Sequence, residues 1–160
     1  MLYMKNKIII YVVCCFLSIS FYGQEKKSFD EIIKENKGKV IFVDFWASWC
    51  NPCRKEMKYS LELQEKYKDV VFIYLSIDLD ENKWKKAVKK EHLEGYNYNF
   101  MTINLKKTSD FKISSQFDIS VKSIPRYMIF NKEGVLINND APRPSEGEKL
   151  KKELEKYLIE

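Results

Sequence analysis

The chain has 160 residues, 45% hydrophobic and 32% charged, a balance that excludes a disordered polymer and suits one folded domain with its own core. Setting aside Met1 to Gly23, which holds Lys5 and Lys7 and no acid, leaves 26 basic against 23 acidic residues. That small excess is interspersed with Glu and apolar residues, as around Lys83-Trp84-Lys85-Lys86, which excludes a nucleic-acid footprint and reads as a solvated helix face.

In chain order, Lys5 and Lys7 precede an apolar run from Ile8 to about Phe21, and the small residues Ser18, Ser20 and Gly23 follow. A positive start, an apolar centre and small residues predict a secretory signal peptide over residues 1–23, with the mature domain spanning 24–160. The run is short of the ~20 residues a membrane span needs, and an uncleaved anchor is the alternative. Removal of this segment takes Cys14 and Cys15 with it and leaves Cys50 and Cys53. An exported chain with one close pair lacks the spread-out cysteines of a structural disulfide framework.

Ser28 with Glu31 forms a capping box for a short helix that ends at Asn36-Lys37-Gly38. Lys39 to about Ala47 is an apolar strand interrupted by one carboxylate, Asp44. Asn51–Tyr67 reads as a helix whose inner face is Met57, Leu61 and Leu63 or Gln64. Val70–Ile77 is a β-branched apolar run, as expected for an interior strand covered on both faces. Asp80 caps a helix over Lys83 to about Leu93, with Trp84, Ala87 and Val88 on one side. A short strand at Phe100–Ile103 and a helix at Ser109–Phe117 follow.

Ser123–Phe130 is a strand entered through Pro125, and Asn131–Gly134 turns it into a hairpin with Val135–Ile137. Ala141–Pro144 is an extended linker, and Ser145 with Glu148 is a second capping box, opening a helix with the stripe Leu150, Leu154, Leu158. This order predicts an α/β fold, a mixed central sheet flanked by helices, with its two central strands parallel.

Cys50-Asn51-Pro52-Cys53 lies at a strand-to-helix junction. Free N–H groups and the partial positive charge of a helix N-terminus lower a thiol pKa there, and Pro52 suits the first turn because its missing N–H costs nothing. Cys50 is the exposed nucleophile and Cys53, one turn on, the resolving thiol of a dithiol–disulfide cycle. Two readings fit Asp44: a buried carboxyl that takes the Cys53 proton through a water, or a carboxylate satisfied by local backbone at the sheet edge. A zinc site would need four ligands, and the mature chain adds only His92 to the pair. No metal or cofactor is therefore expected, and His92 is placed at an exposed helix end without a role.

Trp46-Ala47-Ser48-Trp49-Cys50-Asn51-Pro52-Cys53-Arg54-Lys55-Glu56-Met57 resembles the active-site signature of thioredoxin-fold proteins. With the signal peptide, Ile124-Pro125 and Ala141-Pro142-Arg143-Pro144-Ser145, it is similar to the TlpA/ResA-like envelope branch. The resemblance implies a thioredoxin fold from about Ser28 onward. It also implies a cis Ile124–Pro125 bond facing the Cys50–Cys53 disulfide, an Ile124 backbone that pairs with substrate, and a buried proton acceptor at Asp44. Trp49, Ile124, Pro125 and Arg126 become the substrate-binding residues. The 72 positions between Cys53 and Pro125 imply an inserted strand–helix segment within Asp80–Ile103.

Two departures stand out. Lys58 occupies the position of a kinking proline, and Arg126 replaces the usual threonine, bringing a cation that would favour acidic partners and hold the Cys50 thiolate. The implied activity is an exported thiol–disulfide oxidoreductase of the periplasm or cell envelope. Its substrates are disulfides of envelope proteins, its direction is net reduction, and its electrons come from a membrane thiol donor. The alternatives are a disulfide oxidase or isomerase, or a redox-inert binding module. A peroxidase lacks the Thr/Ser and Pro that should precede its cysteine.

Overall fold

The computed structural model describes residues 27–93, 97–99 and 121–159. The signal-peptide segment, Phe100–Ile103 and the expected helix at Ser109–Phe117 lie outside them. The elements are α1 (Phe29–Glu35), β1 (Val40–Trp46), α2 (Asn51–Lys66), β2 (Val70–Ser76) and α3 (Glu81–Lys90). They continue with β3 (Asn97–Asn99), β4 (Arg126–Phe130), β5 (Leu136–Asn138), a 3₁₀ turn at Pro144–Glu146 and α4 (Gly147–Leu158).

The strands form a sheet in the order β3-β2-β1-β4-β5. β1 runs parallel to β2 and antiparallel to β4, β2 is parallel to β3, and β4 is antiparallel to β5. Every residue of β1 and β2 is buried, as continuous apolar strands between two helical layers must be. Alternation divides their side chains. Val40, Phe42 and Trp46 join Phe72, Tyr127, Met57, Leu150 and Leu154 on the face covered by α2 and α4. Ile41, Val43 and Phe45 join Ile73, Leu75, Met128 and Phe130 on the face covered by α1. The described residues between Asp80 and Asn99 contribute α3 and, beyond β2, the edge strand β3. Among the described residues no helix is long and apolar enough to cross a membrane.

Local signals account for most boundaries. The Ser28 hydroxyl accepts from Glu31 N at 3.2 Å while Glu31 accepts from Ser28 N at 2.6 Å. Gly38, at φ +92°, supplies the left-handed step after α1. The Asp80 carboxylate caps α3 through the N–H groups of Asn82 and Lys83, and His92 lies exposed just past that helix.

Three expectations are corrected. The inner face of α2 is Cys53, Glu56, Met57 and Ser60, whereas Leu61 and Leu63 are only half-buried at its margins. The closing box uses Arg143 and Glu146, two positions earlier than expected, because Ser145 turns inward to another partner. β4 starts at Arg126, since proline cannot donate to a ladder. α2 runs unbroken through Lys58.

Phe29 anchors α1, with its ring centroid 5.9 Å from that of Phe130 and 6.5 Å from that of Phe45. Phe29→Ala should lower unfolding free energy by about 3–5 kcal/mol, read from urea denaturation. A loss below about 1 kcal/mol would mean that α1 does not hold this face of the sheet.

Candidate active site

β1 delivers the chain to the end of the sheet, and a turn closed by Cys50 N–H to the Ala47 carbonyl (3.0 Å) brings it to α2. Cys50 is the N-cap of that helix, and its sulfur accepts from Cys53 N–H at 3.2 Å. No acidic side chain lies in the first turn of α2, so nothing there offsets the positive end of the helix. Cys50 and Cys53 are joined as a disulfide with Cα atoms 5.3 Å apart. Cys53 is wholly buried, and Cys50, expected to be exposed, is nearly so in the disulfide, at 5% exposure, because Ala47 and the start of α2 pack around it; the neighbouring Trp49 is 66% exposed.

Asp44 is not at a sheet edge. It is the fifth residue of the central strand, 1% exposed, with Tyr74 and Tyr127 as its register partners. It shares a strand face with Phe42 and Trp46, the face packed against Cys53 and Met57 of α2. Neither carboxylate oxygen has a hydrogen-bond partner among the described residues, and the Tyr127 hydroxyl is likewise unpaired. Burial pushes the Asp44 pKa well above the ordinary 3.8, and the nearby Glu56 adds to the rise. Burial also lifts the Tyr127 and Tyr74 phenols above their ordinary range, so both stay neutral donors. The Tyr74 hydroxyl is already engaged with Ser60 and Gln64.

Glu56 was not singled out by its sequence position. It is 7% exposed and accepts from Ser145 N–H and from the Ser145 hydroxyl, both at 2.9 Å, which ties α2 to the segment before α4. Its signal is spacing: three residues after Cys53 and next to Met57 is an inward position on a helix that starts at Asn51. Two buried carboxyl groups, near enough to interact, therefore lie on the side of the sheet that α2 covers.

The Ile124–Pro125 bond is cis, and both residues are half-buried. Arg126 is in register with Phe45, so the preceding Ile124-Pro125 lies at the end of the sheet from which the Cys50 loop leaves β1. Arg126 itself turns toward Asp140, with Nη1 to Oδ1 at 3.3 Å, while its Nε is buried without a partner among the described residues. The structure thus brings Cys50, Cys53, Asp44 and Glu56 under one helix end and sets Trp49, Ile124, Pro125 and Arg126 around that end of the sheet. Among the described residues no group of three or more His, Cys, Asp or Glu side chains could hold a metal ion.

A family model of thioredoxin-like proteins matches residues 38–136. The thiol-disulfide oxidoreductase ResA of Bacillus cereus is 33% identical over 126 residues, 79% of this chain and 65% of that protein. The chain therefore spans a little under two thirds of the ResA protein it matches. The thioredoxin-like protein YneN of Bacillus subtilis is 29% identical over 141 residues, 88% of this chain and 74% of the relative. A solution structure from Bacteroides vulgatus, described as a thiol-disulfide oxidoreductase, superposes with a TM-score of 0.62 at 31% identity, covering 79% of this chain and 78% of that one. With a mixed sheet, a disulfide pair capping the helix after its central strand and a cis-proline at the same end of the sheet, the chain belongs to the thioredoxin-like family.

Proposed function

We propose that the chain is a thiol–disulfide oxidoreductase of the cell envelope that reduces disulfides in other exported proteins. The observation that carries this reading is the Cys50–Cys53 disulfide closed over the N-terminus of α2, the helix that covers the sheet face holding buried Asp44. In the reduced protein the Cys50 thiolate attacks one sulfur of a substrate disulfide, releasing a substrate thiolate and forming a mixed disulfide. Cys53 then gives its proton to Asp44 through a water and attacks the Cys50 sulfur. The second substrate thiolate leaves, and Cys50–Cys53 is the oxidised product. Two electrons pass from the pair to the substrate, and a membrane thiol donor restores the dithiol.

Trp49 and the Ile124–Pro125 edge form the walls against which an extended substrate segment lies. Arg126, balanced by Asp140 in the free protein, presents its cation to acidic substrate residues at the same rim. The location outside the cytoplasm is supported by the charged, then apolar, then small-residue order of residues 1–23.

The reducing direction has a physical support. Thiolate stabilisation at the helix end favours the dithiol state and hence oxidising power, whereas anionic charge below the pair opposes it. Glu56, and Asp44 when it ionises, supply that opposition. The potential should lie below about −220 mV, nearer thioredoxin at ~−270 mV than the strong oxidants at ~−120 mV. Equilibration with a redox buffer measures it, and a value near −120 mV would make the protein an oxidase instead. Cys50→Ser should abolish insulin-disulfide reduction. Cys53→Ser, expressed in the native envelope, should retain partners on Cys50 as mixed disulfides, a membrane thiol donor among them. Capture of disulfide-forming enzymes and newly folded clients alone would again mean an oxidase.

Asp44→Asn gives two readouts. Without its proton acceptor the resolution step should slow by about 100-fold at pH 7, the low end of general-base effects. The folded protein also holds on Asp44 a proton that the unfolded chain releases above its ordinary pKa of 3.8, so stability falls as pH rises from 3.8 through the raised folded value. The asparagine has no such loss. Its urea midpoint should therefore exceed the wild-type one at pH 7, and the gain should vanish as the pH drops below 3.8. A constant difference across that range would show that Asp44 is not titrating from a buried site.

A further inference from the structure

The loop after β2 makes a hydrogen-bonded knot against the turn that carries Cys50. Asp78 is buried, and its Oδ2 accepts from Ser48 N–H at 2.8 Å and from the Ser76 hydroxyl at 2.6 Å. Its Oδ1 accepts from the Ser48 hydroxyl at 2.6 Å. The Asp78 N–H donates to Ser76 Oγ at 3.0 Å, and the Asn99 side-chain amide donates to the Asp78 carbonyl at 3.1 Å, which ties in β3. Next to it, Ile77 N–H donates to the Trp46 carbonyl at 2.9 Å. Capping of α3 falls to Asp80, two residues on, so the Asp78 carboxylate is committed to the turn.

Ser48 is the second residue of the Ala47–Cys50 turn, and a turn held at that residue from the neighbouring strand has little freedom left at its fourth. We propose that Asp78 is a positioning residue for the dithiol. By holding both polar groups of Ser48, it keeps the Cys50 sulfur over the Cys53 N–H, where the helix end stabilises the thiolate. Trp49 is too exposed to do this by packing. The inference rests on the oxidoreductase reading, and it concerns the reduced state, in which the disulfide no longer restrains Cys50.

The test uses the full chain carrying Cys53→Ser, so that Cys50 alone is alkylated by iodoacetamide as pH is varied. Asp78→Ala and Asp78→Asn remove the same charge, but the asparagine can still accept from Ser48 N–H and donate to its hydroxyl. The alanine variant should therefore alkylate with its midpoint at higher pH than the asparagine variant. In the chain with both cysteines, exchange with oxidised glutathione at pH 7 should be about tenfold slower with alanine than with asparagine, the effect of losing about one neutral hydrogen bond. Coincident profiles and rates for the two variants would overturn the proposal. If Asp78→Ala does not fold, Ser48→Ala serves: it removes one of the two bonds without changing charge and should shift the midpoint upward from wild type, while an unchanged midpoint overturns the proposal. Failure of the wild-type protein to reduce insulin would defeat the oxidoreductase reading and leave the Cys50 profile to decide the role of Asp78.

Discussion

The structure depends on β1 being buried along its whole length while still ending at the surface. A strand in the middle of the sheet, covered by helices on both faces, has no freedom to shift its register. Its last residue is followed by a four-residue turn and then the first turn of α2. The position of Cys50 is thereby inherited from the most rigid part of the fold. Sites built on such elements hold their geometry better than sites built on loops.

The same burial explains why the site is chemically unusual below as well as above. A carboxyl group in the middle of a buried strand would ordinarily be paired, because an isolated charge there is very costly. Asp44 has no partner among the described residues and has a second carboxyl group, Glu56, close by. The cheapest state for it is the protonated one. A carboxyl group with a raised pKa is a stronger base whenever it ionises, so in that form it can take the proton of a nearby thiol and give it back. The unpaired Tyr127 hydroxyl beside it in register offers a place for a water that would carry the transfer.

Much of this was legible in the residues. The capping box at Ser28 and Glu31, the Asp80 cap and the two apolar runs predict their elements because each is a local signal with a local cause. The dithiol was legible for the same reason: both cysteines and Pro52 lie within one turn. What was not legible depends on residues distant in sequence. The spacing of Glu56 turns it inward, but nothing near it in sequence shows that Ser145, 89 positions away, satisfies it. Ser145 in turn reads as a helix cap until Glu56 claims it, and the box moves to Arg143 and Glu146. Asp78 looks like an ordinary turn residue unless Ser48 is known to lie across from it. Arg126 reads as a free cation until Asp140 approaches from the linker after β5.

The tie between Glu56 and Ser145 has a consequence in time. The chain is synthesised from its N-terminus, and β1, α2 and β2 are complete long before residues 144–158 exist. Until that last segment arrives, Glu56 lacks both donors of Ser145, and the surface of α2 that they and Pro144 cover is open to water. The packing behind the redox pair is therefore completed by the last part of the chain to be made, although both cysteines belong to its first third.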